Sequence, residues 1–387
     1  MTDFGAHRHD RHRLIGWFDA DRLAATRVAV IGAGAIGNEV CKNLALLGAG
    51  RITVFDHDRI ERHNLTRSAL FRDADVGRHK ADVVAQRTAE LDPSIAVDAV
   101  RGDVLEVMRP SDVAQFDVVF CCVDNFEARL RLNELALIAG VDLVNGAIDA
   151  RHTSVEHFPF SQGRRLGCYE CGLPPSAYQR IAQRYSCGWL RRAGLVERKV
   201  PTTIVTSGVA GALMVSWGLR MGQSAPDAGG RPASTPAPET AARRALIDTV
   251  TGRSQVSTVL RSEACPACSL IRDEVTVIDW PVAHPLVPTP ASAALRLRLP
   301  EAVVFGARCE SCGFDACGSV PLGSRVRAHT TDVRRCPRCG EEAVAVDGRD
   351  AATLGQLHRA LGGHPPSVPY LWVDDPRISL CVEVNDV

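Results

Sequence analysis

The chain has 387 residues, 45% of them hydrophobic, enough for a large core and for two or three domains. Its 45 basic and 45 acidic side chains cancel, so no global field favours nucleic acid or an anionic membrane, and no run of about 18 apolar residues exists to span one. Fourteen cysteines behind a polar start, "MTDFGAHRHDRHR", with no apolar signal-peptide core, point to metal and thiol chemistry in a reducing, cytoplasmic compartment.

Residues 1–26 read as a basic arm with a short helix. "RVAVIGAGAIG" (27–37) is an apolar strand running into a glycine turn, and "NEVCKNLALLG" (38–48) has helical spacing closed by glycine. "RITVFDHD" (51–58) is a second strand ending in acids, and 75–93 is a helix stopped by proline. "IAVDAV" (95–100) and "FDVVFCCVD" (116–124) are further strands. The second is wholly apolar, as in a buried parallel sheet. A helix over 125–140 and a strand over 141–148 complete the alternation. It predicts an α/β fold with a doubly wound, Rossmann-like, mostly parallel sheet.

After residue 150 the pattern changes. "TSVEHFPF" reads as a strand leading into "GCYECG", and a helix rich in small residues covers 201–221. Residues 222–242 are a Pro/Ala/Gly/Ser linker, too poor in bulky apolar side chains to pack. "ACPAC" follows at 264–268. The expected organisation is an arm (1–26), a domain built on that sheet (27–274) and a separate C-terminal region with two of the CxxC pairs (275–387).

Gly32, Gly34 and Gly37 form GxGxxG directly between a strand and a helix. Such glycines permit a tight turn and close backbone approach to phosphates, while the helix N-terminus supplies N–H donors. Asp56 lies 19 residues beyond Gly37, at the end of the next strand, and is placed to bond a ribose hydroxyl. Alone, this pattern favours NAD, with ATP and S-adenosylmethionine as minorities.

Further motifs change that vote. The Asp-x-Asp of Asp56 and Asp58, "HNLTR", "LFRDADVGRHKA" and "CCVDNFEARLRLN" resemble the ATP-binding segment of the ThiF/HesA/MoeB superfamily, which includes ubiquitin-activating enzymes. The resemblance covers about residues 10–215. It implies that Gly32, Gly34, Gly37, Asp56 and Asp58 hold ATP, with Asn64, Arg67 and Lys80 on its triphosphate. Donors aimed at the α-phosphate stabilise the charge that develops as a carboxylate attacks it. Lys80 is one of only three lysines, with Lys42 and Lys199, which fits a need for a compact point charge. The bland alternative for Arg67 and Lys80 is solvated surface charge. Asp124, at the end of a buried strand, would bind Mg²⁺, and Asn125 and Arg129 complete the family's Asp-Asn-x-x-x-Arg pattern. For those two, capping and surface charge are the competing reading. Arg13 matches the arm arginine that reaches the partner subunit's ATP, with Arg11 a rival and an unstructured arm the alternative.

CxxC pairs begin at Cys168, Cys265, Cys309 and Cys336. Two such knuckles make one tetrahedral site, so four predict two closed, structural Zn²⁺ sites. Cys168, Cys171, Cys265 and Cys268 match the family's zinc. Cys309, Cys312, Cys336 and Cys339 form a zinc-ribbon pattern with 23 residues between knuckles. That interval holds arginines but one aromatic, Phe314, which favours protein docking over nucleic acid. Cys317 is a core residue or an alternative ligand. Cys41, Cys121, Cys122 and Cys381 sit in apolar contexts and read as core.

Cys187 belongs to no pair. In the family, a loop after the first zinc knuckle, here about 172–200, often carries a reactive cysteine. Arg180, Arg184, Arg191 and Arg192 surround Cys187 in sequence and favour its thiolate. An idle loop cysteine is the alternative, and the interval from Cys187 to the following proline is longer than the family pattern. The expected function is ATP-dependent adenylation of the C-terminal glycine of a ubiquitin-like protein. Thioester formation on Cys187 and transfer to a conjugating enzyme would follow, in a homodimer. The runner-up makes a thiocarboxylate on a sulfur-carrier protein. A third reading is a non-catalytic nucleotide-binding scaffold that docks partners through its ribbon.

Overall fold

In the computed structural model the described residues are 8–16, 18–174, 176, 201–220, 241–271, 275–280, 292–316, 320–326, 335–362, 364–375 and 378–384. They fall into two compact units, one ending at Ser269 and the other starting at Leu270 in the C-terminal half. Cys187, Cys317, the arginines around Cys187, and nearly all of the 222–242 linker lie outside the described residues.

In the first unit a short helix α1 (Ala20–Ala25) leads into strand β1 (Arg27–Ile31) and helix α2 (Ala35–Leu47). Strand β2 (Arg51–Phe55), helix α3 (Lys80–Leu91) and strand β3 (Ala96–Val100) follow. Two one-turn helices, α4 (Val104–Val107) and α5 (Pro110–Val113), precede strand β4 (Val118–Cys121), helix α6 (Phe126–Ala139) and strand β5 (Asp142–Ile148). Strand β6 (His152–Phe158), helix α7 (Ile204–Gly218), strands β7 (Arg243–Asp248) and β8 (Ser254–Thr258) and the short helix α8 (Pro266–Leu270) complete it. The eight strands form one sheet in the order β3-β2-β1-β4-β5-β6-β7-β8. The first five are parallel, and β6, β7 and β8 continue antiparallel.

Strand periodicity explains the layers. Alternate residues share a face. Val28 and Val30, Ile52 and Val54, Val118 and Phe120, with Val144, Val155 and Ala245, all enter one core with side chains of α2, α3 and α7. Helix α6 packs against β4 and β5. Its buried Leu132, Leu135 and Ala136 make its contribution to the interior.

The small residues of α7 have a geometric purpose. A Cβ on Gly211 would stand 2.5 Å from the Glu39 Cβ of α2, and one on Gly218 would stand 2.6 Å from the buried Phe120 ring. The bare backbone lets α7 lie against α2 and the sheet. Branched side chains would hold them apart.

The second unit is a five-stranded sheet in the order β11-β10-β12-β13-β9. Its strands are β9 (Thr276–Asp279), β10 (Arg296–Cys309), β11 (Val344–Thr353), β12 (Tyr370–Asp375) and β13 (Ile378–Glu383). Helix α9 (Leu354–Leu361) buries Leu354, Leu357 and Leu361 with Trp280, Leu297, Leu371 and Val373.

Gly211→Val should lower stability by about 1–3 kcal/mol through overpacking. Gly208→Ala, where a Cβ meets nothing within 4 Å, should be neutral or stabilising by up to about 1 kcal/mol. Urea denaturation midpoints check the pair; equal effects would refute the close-approach account.

Candidate nucleotide site and cysteine clusters

The sheet changes winding direction between β1 and β4, and ligands of open α/β sheets bind at such a switch, beyond the strand C-termini. The glycine loop sits there. Gly32 has φ +95°, and a Cβ on it would lie 2.8 Å from the Cys122 carbonyl oxygen that follows β4. A Cβ on Gly37 would lie 1.9 Å from the Gly32 oxygen. These two glycines pack the turn against itself and against β4. Gly34 differs: nothing lies within 4 Å of its Cβ position, and it is the N-cap of α2. The open side of the turn therefore faces a helix N-terminus, as an anion cradle requires.

Asp56 closes the turn from β2. Its Oδ2 accepts the Ala33 N–H at 2.7 Å and its Oδ1 accepts the Asp58 N–H at 2.7 Å. Burial raises its pKa above the usual carboxylate value, while Lys80 and the two backbone donors pull it back. Lys80, the first residue of α3, donates from Nζ to Asp58 Oδ2 at 2.7 Å and keeps 13% of its side chain exposed. Its backbone N–H also bonds the Asp58 carbonyl, so chain and side chain are both pinned.

Other expected residues are spent on the protein itself. Asn64 is buried and its Oδ1 accepts the Glu61 N–H at 2.9 Å, capping a 3-10 turn. Half-buried Arg67 donates to the His63 carbonyl at 2.9 Å. Asp124 is exposed just beyond β4, and Asn125 caps α6 by accepting the Ala128 N–H at 2.8 Å. Arg129 turns inward, donating to the Asn145 Oδ1 and the Val123 carbonyl, so it holds the turn that carries Asp124.

The arm is ordered over its described part. Asp92 pairs with His9 at 3.3 Å and Arg8 at 3.7 Å, and His9 stacks on His12. Arg13 and Arg11 are exposed, and the Arg13 guanidinium stands 3.6 Å from Asp10.

One site residue escaped the sequence reading. Asn38 is fully buried on α2, where its Nδ2 donates to the Ala33 and Gly34 carbonyls and its Oδ1 accepts the Leu70 N–H, all at 2.9 Å. It clamps the glycine turn to the 60–71 segment. The available signal was a polar residue directly after the fingerprint, in the first turn of the helix that the glycine loop opens.

The cysteines gather as two sets of four. Cys168 lies 3.7 Å from Cys171 and 3.6 Å from Cys265, and Cys171 lies 3.6 Å from Cys268, sulfur to sulfur. In the second unit Cys309–Cys339 and Cys312–Cys336 are 3.7 and 3.6 Å apart. Tetrahedral zinc with Zn–S bonds of about 2.3 Å requires sulfurs roughly 3.7–3.8 Å apart, so both sets fit Zn²⁺. The Ser262 N–H points at Cys171 Sγ, 3.4 Å away, as an outer-shell donor does. Cys41, Cys121, Cys122 and Cys381 are buried core thiols. Burial pushes the Cys41 thiol up to about 12 and raises Cys121 and Cys122, so none of these three offers a thiolate near neutral pH.

Fold and site together define a doubly wound α/β domain with a glycine cradle at its strand switch, braced by a four-cysteine cluster. The chain belongs to the ThiF family, whose model matches residues 8–270, and this is a family of adenylyltransferase enzymes. It is 30% identical over 274 residues to the sulfur carrier protein adenylyltransferase of Thermus thermophilus, covering 67% of this chain and 88% of that protein. It is 25% identical over 214 residues to ubiquitin-like modifier-activating enzyme 5 of Drosophila grimshawi, spanning about half of each, 52%. The solved structure of E. coli MccB with succinimide shares the fold, with a TM-score of 0.53 at 23% identity over 69% of this chain and 75% of that one. Among the described residues no helix is long and apolar enough to cross a membrane.

Elemental analysis of the purified chain is expected to find two zinc ions, one for each cysteine set. Cys309→Ala should remove one and leave the other. An intact chain with no zinc, or loss of both ions from that single change, would contradict independent sites.

Proposed function

We propose that the chain uses Mg·ATP to adenylate the C-terminal glycine carboxylate of a ubiquitin-like protein. The observation that carries this reading is the convergence of an open glycine cradle, Asp56 and the Asp58–Lys80 pair at one strand switch. In the proposed step a carboxylate oxygen bonds to the α-phosphorus. The bond from that phosphorus to the bridging oxygen breaks, and pyrophosphate leaves with the electron pair. Asp56 retains lone pairs for the ribose hydroxyls. Lys80 exchanges Asp58 for phosphate oxygens, and Arg67, with Arg13 of the partner subunit in a homodimer, adds positive charge where negative charge develops. Asn64 holds the segment that carries Arg67. Asp124 would hold Mg²⁺, which neutralises triphosphate charge when bound.

Cys187 is proposed as the acyl acceptor. Its thiolate attacks the acyl carbon, AMP leaves, and the thioester passes to a conjugating enzyme. Likeness to a sulfur carrier protein adenylyltransferase over 67% of the chain supports a second outcome, in which sulfide-level sulfur from a donor attacks the acyl carbon, AMP leaves, and the carrier's C-terminus is left as a thiocarboxylate.

Pyrophosphate exchange into ATP should require a ubiquitin-like protein ending in glycine. Asp124→Ala should lower that exchange by about 10²–10³-fold while partner binding persists. Cys187→Ala should keep exchange and lose a reductant-sensitive adduct. Mass spectrometry of the partner's C-terminus separates thioester from thiocarboxylate. No exchange with any small β-grasp protein ending in glycine would overturn the reading.

A further inference from the structure

A line of buried polar side chains crosses the first unit from the Asp124 turn to the first cysteine knuckle. Arg129 of α6 donates to the Val123 carbonyl, one residue before Asp124, and to Asn145 Oδ1 on β5. Asn145 Nδ2 donates to Glu156 Oε2 on β6 at 2.5 Å. Glu156 Oε1 accepts from Arg244 Nε on β7 at 2.6 Å. Asn145 and Glu156 are paired across the strands, as are Glu156 and Arg244, so the sheet register itself lines them up. The Arg244 guanidinium rests on Gly172, where a Cβ would stand 2.8 Å from its Nη2. Gly172 directly follows the ligand Cys171. A second tie runs from the same helix: Asn133 Oδ1 accepts the Tyr169 N–H, between Cys168 and Cys171, at 2.9 Å.

Charged and polar groups in an interior 3–8% exposed at Arg129, Asn145 and Glu156 are costly unless every donor meets an acceptor. Here the donor order is strict. Arg129 gives to Asn145, Asn145 gives to Glu156, and Arg244 gives to Glu156 from the other side. Each bond fixes which atom of a side chain faces its neighbour, so the four residues hold one another in a single arrangement that an apolar core would not impose.

We propose that Arg129, Asn145, Glu156 and Arg244 are positioning residues that couple the Asp124 turn to the Tyr169–Gly172 knuckle, so that Mg·ATP bound at the turn rigidifies the knuckle. The proposal rests on the nucleotide reading above, and its test separates the two. Glu156→Gln puts an N–H against either the Asn145 or the Arg244 donor. Asn145→Asp puts a carboxylate oxygen against Glu156. The double change Asn145→Asp/Glu156→Gln gives every donor an acceptor again. The carboxylate introduced at position 145 accepts from Arg129 and from the new amide at position 156. The carbonyl oxygen of that amide accepts from Arg244. The double change also preserves net charge.

Binding of Mg·ATP is measured by calorimetry, and hydrogen exchange of a peptide spanning 169–172 is followed with and without it. Wild type should bind and show slowed exchange at the knuckle. Each single variant should bind about tenfold more weakly and lose the slowing, within the coupling range of residues in one network. The double variant should regain both, with zinc content constant throughout. Arg244→Met, at the half-exposed end, serves if the inner single variants do not fold. It should keep binding within about twofold and lose the knuckle response. A double variant no better than the singles, or a knuckle response intact in Arg244→Met, overturns the relay. A wild type that does not bind Mg·ATP overturns the nucleotide reading instead.

Discussion

The contact on which this domain depends is the one between Gly37 and the Gly32 carbonyl. A single methyl group would fall 1.9 Å from that oxygen. Because the helix can start this close to the strand, α2 begins immediately beyond β1 and its N–H groups open onto the strand switch. The same tightness brings the turn against Cys122, at the end of β4. Asp56, Asn38 and Asp124 are then arranged around a backbone that has no slack. Close packing makes such a site accurate, because displacing any wall requires displacing a strand or helix.

Around that turn the protein uses polar side chains as fasteners more than as exposed reagents. Asn38 fixes the loop to the segment after β2, Asn64 caps its own turn, and Arg129 ties the Asp124 turn to β5. The expected residues left with exposed charge are Asp58, Asp124, Arg11 and Arg13, with Lys80 and Arg67 exposed in part. This division suits the proposed nucleotide site: rigid internal bonds set the geometry, and a few exposed charges are left to meet a charged ligand.

Much of this was legible in the sequence because it depends on local pattern. The parallel strands β1 to β5 show as apolar runs between helical spacings, and the glycine fingerprint and CxxC pairs mark turns whose chemistry is set by residue type. What was not legible depends on long-range register. The β7–β8 hairpin is only partly apolar, with β8 exposed along its length, so it carries no clear alternation. The inward turn of Arg129 follows from its partner Asn145, 16 residues away on another strand. The pairing of cysteines 97 residues apart was implied by family resemblance, and the sheet supplies the physical reason by bringing β7 and β8 beside β6.

We propose the β1–β4 crevice as an ATP site and not a dinucleotide site, and direct titration tests it. Calorimetry of the intact chain should show saturable binding of Mg·ATP at one site per chain, lost when Asp56 is replaced by Ala, and no binding of NAD under the same conditions. Tight NAD binding with none of ATP would contradict the account.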